Sequence, residues 1–339
     1  MQKFNKIIVL LLVFSLLTFA LPQPAPTFAS DCSQISVGFT PLNDLGAANY
    51  LGYQGELYPN GSNQMPAAHA QAGLDIAQTI QPLSPTGQVD VVNGRIVLLS
   101  LGMSNTSQEF TTFMSLAQND ALLADNVTIV NGAQGGKSAE FASDPSDDFW
   151  TTLNQRLANA GVTPQQVQVV WLKEARSSVD PSEVFPTDAE ILQEQLQAIV
   201  QIAKARFPNL KIAYLSSRIY AGYADTNLSP EPEAYQSGFA VKWLIEDQIN
   251  GSPDLNYNSA NGPVLAPWLA WGPYLWADGL TPRSDGLTWL CSDFVADGTH
   301  PSGDGALKVA GLLQNFFHSA ETAVPWYADL SQLNNQRSN

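Results

Sequence analysis

Residues able to break an acyl bond by nucleophilic attack occur at three telling places in this chain. Ser104 follows "RIVLLSLGM", a short aliphatic and β-branched run bounded by Gly94 and Gly102. Such a run reads as a strand buried on both faces. In open α/β sheets, ligands bind at the carboxyl ends of the strands. A serine there is either a cap for the following helix or a nucleophile, and a nucleophile needs a base and oxyanion donors. The chain holds three histidines. His69 in "MPAAHA" lies toward the N-terminus, and His318 in "NFFHSAE" falls in the last helical stretch, where packing or capping is the simpler role. His300 stands in "VADGTHPSGDG", three residues after Asp297 in a Gly/Pro-rich loop. That spacing lets Asp297 orient one ring nitrogen while the other faces Ser104.

Donors for an oxyanion should follow another strand. "VTIVNGAQGGKSAEF" supplies an apolar run to Asn131 and then Gly132, Gly135 and Gly136, where a missing side chain lets backbone N–H groups approach a ligand. Gly136-Lys137-Ser138 echoes the end of a phosphate loop, but the first glycine of that motif is misplaced.

These pieces require a scaffold. From Arg95 onward apolar runs alternate with amphipathic stretches: strands are expected at 96–101, 127–131, 167–172 and 211–216. Helices are expected at 108–119, 147–159, 188–205, 232–250 and 303–320. Alternation of this kind implies a mainly parallel sheet with helices on both faces, a three-layer α/β/α domain. Parallel strands then bring Ser104-Asn105, the glycines after Asn131, Lys173-Glu174 and Ser216-Ser217-Arg218 to one sheet edge. Residues 31–94, rich in Gly, Pro, Asn and Gln, read as an irregular extension with one helix at 67–80, packed on a main domain at 95–339.

The first thirty residues carry Lys3 and Lys6, an apolar core at 7–21 and small residues near Ala29, the pattern of a cleaved secretory signal. Export of a soluble, extracellular protein is therefore expected, without a membrane partner after cleavage. The formal charge is −16, and removal of a leader with two lysines makes the chain more acidic still. Such a surface repels nucleic acid and anionic lipid. Cys32 and Cys291 are the two cysteines, and an oxidising compartment favours their pairing across nearly the whole mature chain.

"LGMSN", "VNGAQGGKS" and "DGTHPS", in this order over roughly residues 95–320, resemble the blocks of the SGNH (GDSL-type) hydrolase family. The first block is closest to the G-Q-S-N variant of the sialate and carbohydrate acetylesterase branch. The resemblance implies a flavodoxin-like α/β/α fold and ester hydrolysis without metal or cofactor. It assigns Ser104, Asp297 and His300 as the triad, and the oxyanion site to Gly136 with Gly135 adjacent. The family expects an asparagine or glutamine after the third strand, where this chain reads "VVWLKEARS". Lys173 is expected either to donate to the oxyanion in its place or to pair with Glu174, and Asn105 is a replacement donor.

Four of the eight tryptophans fall between Trp268 and Trp289, just ahead of the acid–base loop. Flat aromatic faces suit sugar rings or an acyl chain, so Trp271 and Trp276 are expected to bind substrate, with core packing as the alternative. The expected protein is a secreted serine esterase removing small acyl groups, acetyl foremost, from glycans or other small esters. A lipolytic esterase and a non-catalytic glycan- or surface-binding protein are the competing expectations.

Overall fold

The computed structural model describes residues 30–329 apart from Ser178, Val179 and Pro181, so the expected leader lies outside the described residues. A small hairpin of β1 (Asn49–Tyr50) and β2 (Tyr53–Gln54) and the helix α1 (Ala67–Gln78) precede the main sheet. The sheet consists of β3 (Ile96–Gly102), β4 (Val127–Asn131), β5 (Val167–Lys173), β6 (Ile212–Leu215) and β7 (Trp268–Trp271). All five strands are parallel, in the order β4-β3-β5-β6-β7. Every residue of β3, β5, β6 and β7 is buried, as continuous apolar runs covered on both faces must be.

The helices are α2 (Ser104–Ala117), the short α3 (Ala139–Ala142), α4 (Asp148–Asn159), α5 (Thr187–Arg206), α6 (Glu233–Ile249), α7 (Gly303–Ser319) and α8 (Val324–Tyr327). One layer joins α2 to α7, α7 to α8 and α8 to α1, and the other joins α3 to α4 and α5, and α5 to α6. This is the expected three-layer α/β/α architecture. Helix α5 buries Leu192, Leu196, Ile199, Val200 and Ala203 along one stripe. Acids in its first turn and Lys204 and Arg206 in its last complement the helix dipole.

Most element ends agree with the sequence reading to within two residues, and two larger differences bear on the site. Helix α2 begins at Ser104 rather than at 108, with Met103 as its capping residue. The fifth strand, β7, comes from the aromatic segment that reads as a substrate loop. "WLAW" is four residues long, lacks a β-branched residue and sits between Pro267 and Gly272-Pro273, so its strand character comes from pairing with β6.

The extension lies against the main domain. Residues 36–38 bond to the Asp278 carboxylate, Lys242 Nζ donates to the carbonyls of Gln54 and Gly55, and His69 Nε2 lies 2.8 Å from Leu269 O. Cys32 and Cys291 form a disulfide, with Cα atoms 5.4 Å apart. Among the described residues no helix is long and apolar enough to cross a membrane.

A bridge that closes a loop of 259 residues restricts the unfolded chain by up to ~5 kcal/mol in the chain-entropy model. Cys32→Ser is therefore expected to lower the melting temperature by several degrees, measured by calorimetry against the wild type with and without reductant. Equal melting temperatures in all three samples would show that the bridge contributes no stability.

Candidate active site

Strand β3 ends at Gly102, whose missing side chain is a packing requirement: a β-carbon there would stand 2.3 Å from Lys173 O and 2.5 Å from Thr106 Oγ1. The chain crosses Met103 in extended conformation and starts α2 at Ser104. Ser104 Oγ lies 2.8 Å from His300 Nε2, and His300 Nδ1 lies 2.7 Å from Asp297 Oδ2. An ionised carboxylate can only accept, so Nδ1 carries the proton. Nε2 of the neutral ring is then the acceptor for the Ser104 hydroxyl. Asp297 Oδ1 also accepts from the backbone N–H groups of Thr299 and His300, both at 2.9 Å. Burial works against the Asp297 charge, but the His300 and Thr299 amides and the imidazole outweigh it and hold the carboxyl below its ordinary value.

The loop carrying Asp297 and His300 is tied from several sides. Gly298 has φ +64° because it passes under Tyr223, where a β-carbon would come within 1.9 Å of the carbonyl oxygen. Asn105 Nδ2 donates to Thr299 O, the hydroxyls of Thr226 and Thr299 are bonded, and Ser30 N donates to Ala296 O. The Cys32–Cys291 bridge joins the same N-terminal segment to the approach of this loop.

Ser104 and His300 open onto a cleft of about 290 Å³. Met103 and Leu228 give it apolar lining, Ser138 and Ser177 hydroxyls, and Lys137, Arg176 and Arg218 positive charge. Gly136 lines the same cleft, and among the described residues its N–H enters no hydrogen bond. Gly135 abuts the serine, since a β-carbon on it would lie 4.0 Å from Ser104 Cβ.

Several expected site residues are elsewhere. Lys173 neither faces the cleft nor pairs with Glu174. It is fully buried, with Nζ 2.5 and 2.6 Å from the two carboxylate oxygens of Glu109 on α2. Alternation along β5 explains this: Lys173 shares a face with Trp171, which stacks on Phe110 of α2 at 5.5 Å. Burial pushes the Lys173 ammonium down to about 8 and the Glu109 carboxyl up, while their mutual attraction opposes both shifts. Glu174 is buried with Oε1 unpartnered, and burial pushes its carboxyl well above the ordinary range, toward the neutral form.

Trp271 and Trp276 are core residues. Trp271 Nε1 donates to Leu57 O, and Trp276 Nε1 donates to Glu231 while its ring packs 4.8 Å from Tyr235. Asn105 is committed through Nδ2 to the acid–base loop. Arg218 and Ser138, expected at this sheet edge but given no role, line the cleft, and Arg176 and Ser177 reach it without having been singled out. For Arg218 the available signal is its place after the fourth expected strand.

No family model matches the chain, and no curated protein matches it in sequence. Solved structures with similar folds include a Bacteroides fragilis protein described as an acylhydrolase. It is 12% identical, over 77% of this chain and 100% of that one, with TM-score 0.39. The YxiM protein of Bacillus subtilis is 12% identical over 66% of this chain and 56% of its own, with TM-score 0.39. The C-terminal catalytic domain of Streptococcus pneumoniae peptidoglycan O-acetyltransferase A, carrying a methylsulfonyl adduct, is 13% identical over 67% and 95%, with TM-score 0.34.

The position of Lys173 generates a stability prediction. Lys173→Met strands a buried carboxyl and is expected to cost about 3–5 kcal/mol in urea unfolding. Adding Glu109→Leu is expected to recover most of that loss, because the orphaned acid disappears. A Lys173→Met protein as stable as wild type would refute the pairing.

Proposed function

We propose that the chain is a serine hydrolase of SGNH type that cleaves carboxylic esters. The observation that carries this reading is the continuous hydrogen-bonded chain from Ser104 Oγ through the His300 ring to Asp297, open to a cleft at the carboxyl edge of a parallel sheet. Ser104 Oγ attacks the ester carbonyl while His300 Nε2 takes its proton, and the carbonyl oxygen becomes the oxyanion. Collapse of the tetrahedral species breaks the bond to the alcohol oxygen, which leaves with the proton from His300. Water then attacks the acyl-serine, giving its proton to the same nitrogen, and the acid departs as Ser104 is regenerated. The sum is ester plus water to acid plus alcohol. Asp297 keeps the imidazole in the tautomer that can accept at Nε2 and stabilises the imidazolium.

The oxyanion is held by backbone donors in this reading. Ser104 is the first residue of α2, where N–H groups lack intrahelical acceptors and the dipole favours negative charge. The Gly136 N–H completes the pair, with Gly135 giving room beside the nucleophile. Lys173 has no part in it, because Glu109 holds its ammonium.

A compact cleft lined by Met103 and Leu228 together with the Ser138 and Ser177 hydroxyls suits a short acyl group on a polar alcohol. Removal of small acyl groups, acetyl foremost, from an exported glycan is the substrate reading. The tryptophans give it no support, and the sequence resemblance to the carbohydrate acetylesterase branch supports it.

A fluorophosphonate is expected to label Ser104, read by mass spectrometry of the digest, and Ser104→Ala to lose hydrolysis of 4-nitrophenyl acetate. Asp297→Asn is expected to cost on the order of 10⁴ in turnover through the wrong tautomer. Ser104→Ala combined with His300→Ala should do no more harm than either alone, since triad members act as a unit. A folded protein that neither labels nor hydrolyses any short-chain ester is a binding protein, and the hydrolase reading falls.

A further inference from the structure

We infer that Arg218 is an anion subsite of this cleft, and that the ester substrate carries a carboxylate beside the scissile bond. This rests on the ester-hydrolase reading and concerns its substrate class. Arg218 follows β6, the strand next to β5, and is 1% exposed, yet it lines the cleft shared by Ser104 and His300. A guanidinium stays charged at any physiological pH and offers five N–H donors. Here Nη2 donates to the carbonyls of Leu228 and Ser229, both at 3.3 Å, and Nη1 has only the Met103 thioether at 3.9 Å. Nε has no partner. Among the described residues, Nη2 is therefore anchored while Nη1 and Nε keep unused N–H groups.

Each carboxylate that attracts Arg218 is occupied elsewhere. Glu109 holds Lys173, Asp297 holds His300, and Glu231 accepts from the Trp276 indole and from the Ala221 and Tyr235 amides. The other cations of the cleft are neutralised: Lys137 pairs with Asp147 and Asp148, and Arg176 with Glu183 and Asp188. Among the described residues Arg218 is the one cleft cation without a carboxylate partner. A buried charge left unpaired is costly, and a substrate carboxylate can accept a charge-assisted hydrogen bond from the Nη1 end, whose sole contact is a thioether. In a chain of net charge −16, this is a local positive site rather than part of a general positive field.

The test compares esters of similar size with and without a carboxylate. With the anion on the alcohol side, 4-acetoxybenzoate is set against 4-acetoxybenzamide. With the anion on the acyl side, mono-4-nitrophenyl succinate is set against 4-nitrophenyl valerate. The wild type is expected to prefer the anionic member of at least one pair by tenfold or more in kcat/KM, and that pair identifies the half of the substrate involved. Arg218→Gln is expected to bring the ratio to about one, and Arg218→Lys to restore part of it. No preference in either pair, or a preference that survives Arg218→Gln, would overturn the inference. So would equal losses on both members, which would place Arg218 on the oxyanion or in the scaffold.

If Arg218→Gln does not fold, inhibition of the wild type by benzoate against benzamide, and by succinate against succinamide, reads the same subsite. Equal inhibition within both pairs overturns it. Should no ester be cleaved and Ser104 resist labelling, the hydrolase reading fails separately. Calorimetric binding of benzoate or succinate, present in wild type and lost in Arg218→Gln, would then still support the anion subsite, and its absence would end it.

Discussion

Strand β5 and helix α2 are joined at one point by both ends of a single residue. The Lys173 carbonyl accepts from Thr106 Oγ1 at 2.6 Å, and its ammonium lies between the two oxygens of Glu109. These contacts sit in the first two turns of the helix that begins with Ser104. They fix the rotation of α2 on the sheet, and hence the direction in which the serine points. The absence of a side chain at Gly102 belongs to the same arrangement, because it lets β3 run against the carbonyl that Thr106 caps. An ion pair buried at this depth is poor evidence of net stability, since desolvation offsets much of the attraction. Its defensible role is geometric: it allows one register of helix on strand and penalises others with an unpaired buried group.

The acid–base loop is held by a different kind of constraint. It has little regular structure, so its position depends on ties to parts of the chain far away in sequence. Asn105, the neighbour of the nucleophile, holds Thr299, the neighbour of the base, so the two halves of the site are linked by a hydrogen bond that takes no part in proton transfer. The N-terminal segment adds Ser30 to Ala296 and the disulfide at Cys291. The N-terminal segment thus adds two ties to the stretch that carries Asp297 and His300.

Charge inside the cleft follows from the same economy of partners. Asp297, Glu109 and Glu231 are each claimed by specific donors, whereas Glu174 keeps one buried oxygen unpartnered and burial pushes its carboxyl well above the ordinary range. Arg218 is attracted by the first three, but among the described residues no carboxylate bonds to it. A low-dielectric wall makes each of these states matter more than it would at the surface. The chemistry available to the cleft is set as much by which charges are already spent as by which residues line it.

How far the sequence reaches can be seen residue by residue. The four strands expected from 95 onward are legible because apolar runs of five or six residues are too short for a buried helix and fit a sheet covered on both faces, and their alternation with helices implies a parallel order. The grouping of Ser104 with Asp297 and His300 is legible because each sits at a strand end or in a loop whose local spacing carries the geometry. What the sequence cannot give is the direction of a side chain whose partners are distant. Lys173 reads as a cleft residue at a strand end, but alternation on β5 turns it toward Glu109, and that pairing exists only once α2 is packed. Trp271 and Trp276 read as a platform for a sugar or an acyl chain, with core packing as the alternative, and burial in β7 and behind Glu231 makes them core, because "WLAW" becomes a strand only against β6. Arg218 is visible as a polar residue after a strand. That no carboxylate among the described residues bonds to it is a property of the assembled fold, since a missing partner can be recognised only when all the neighbours are in place.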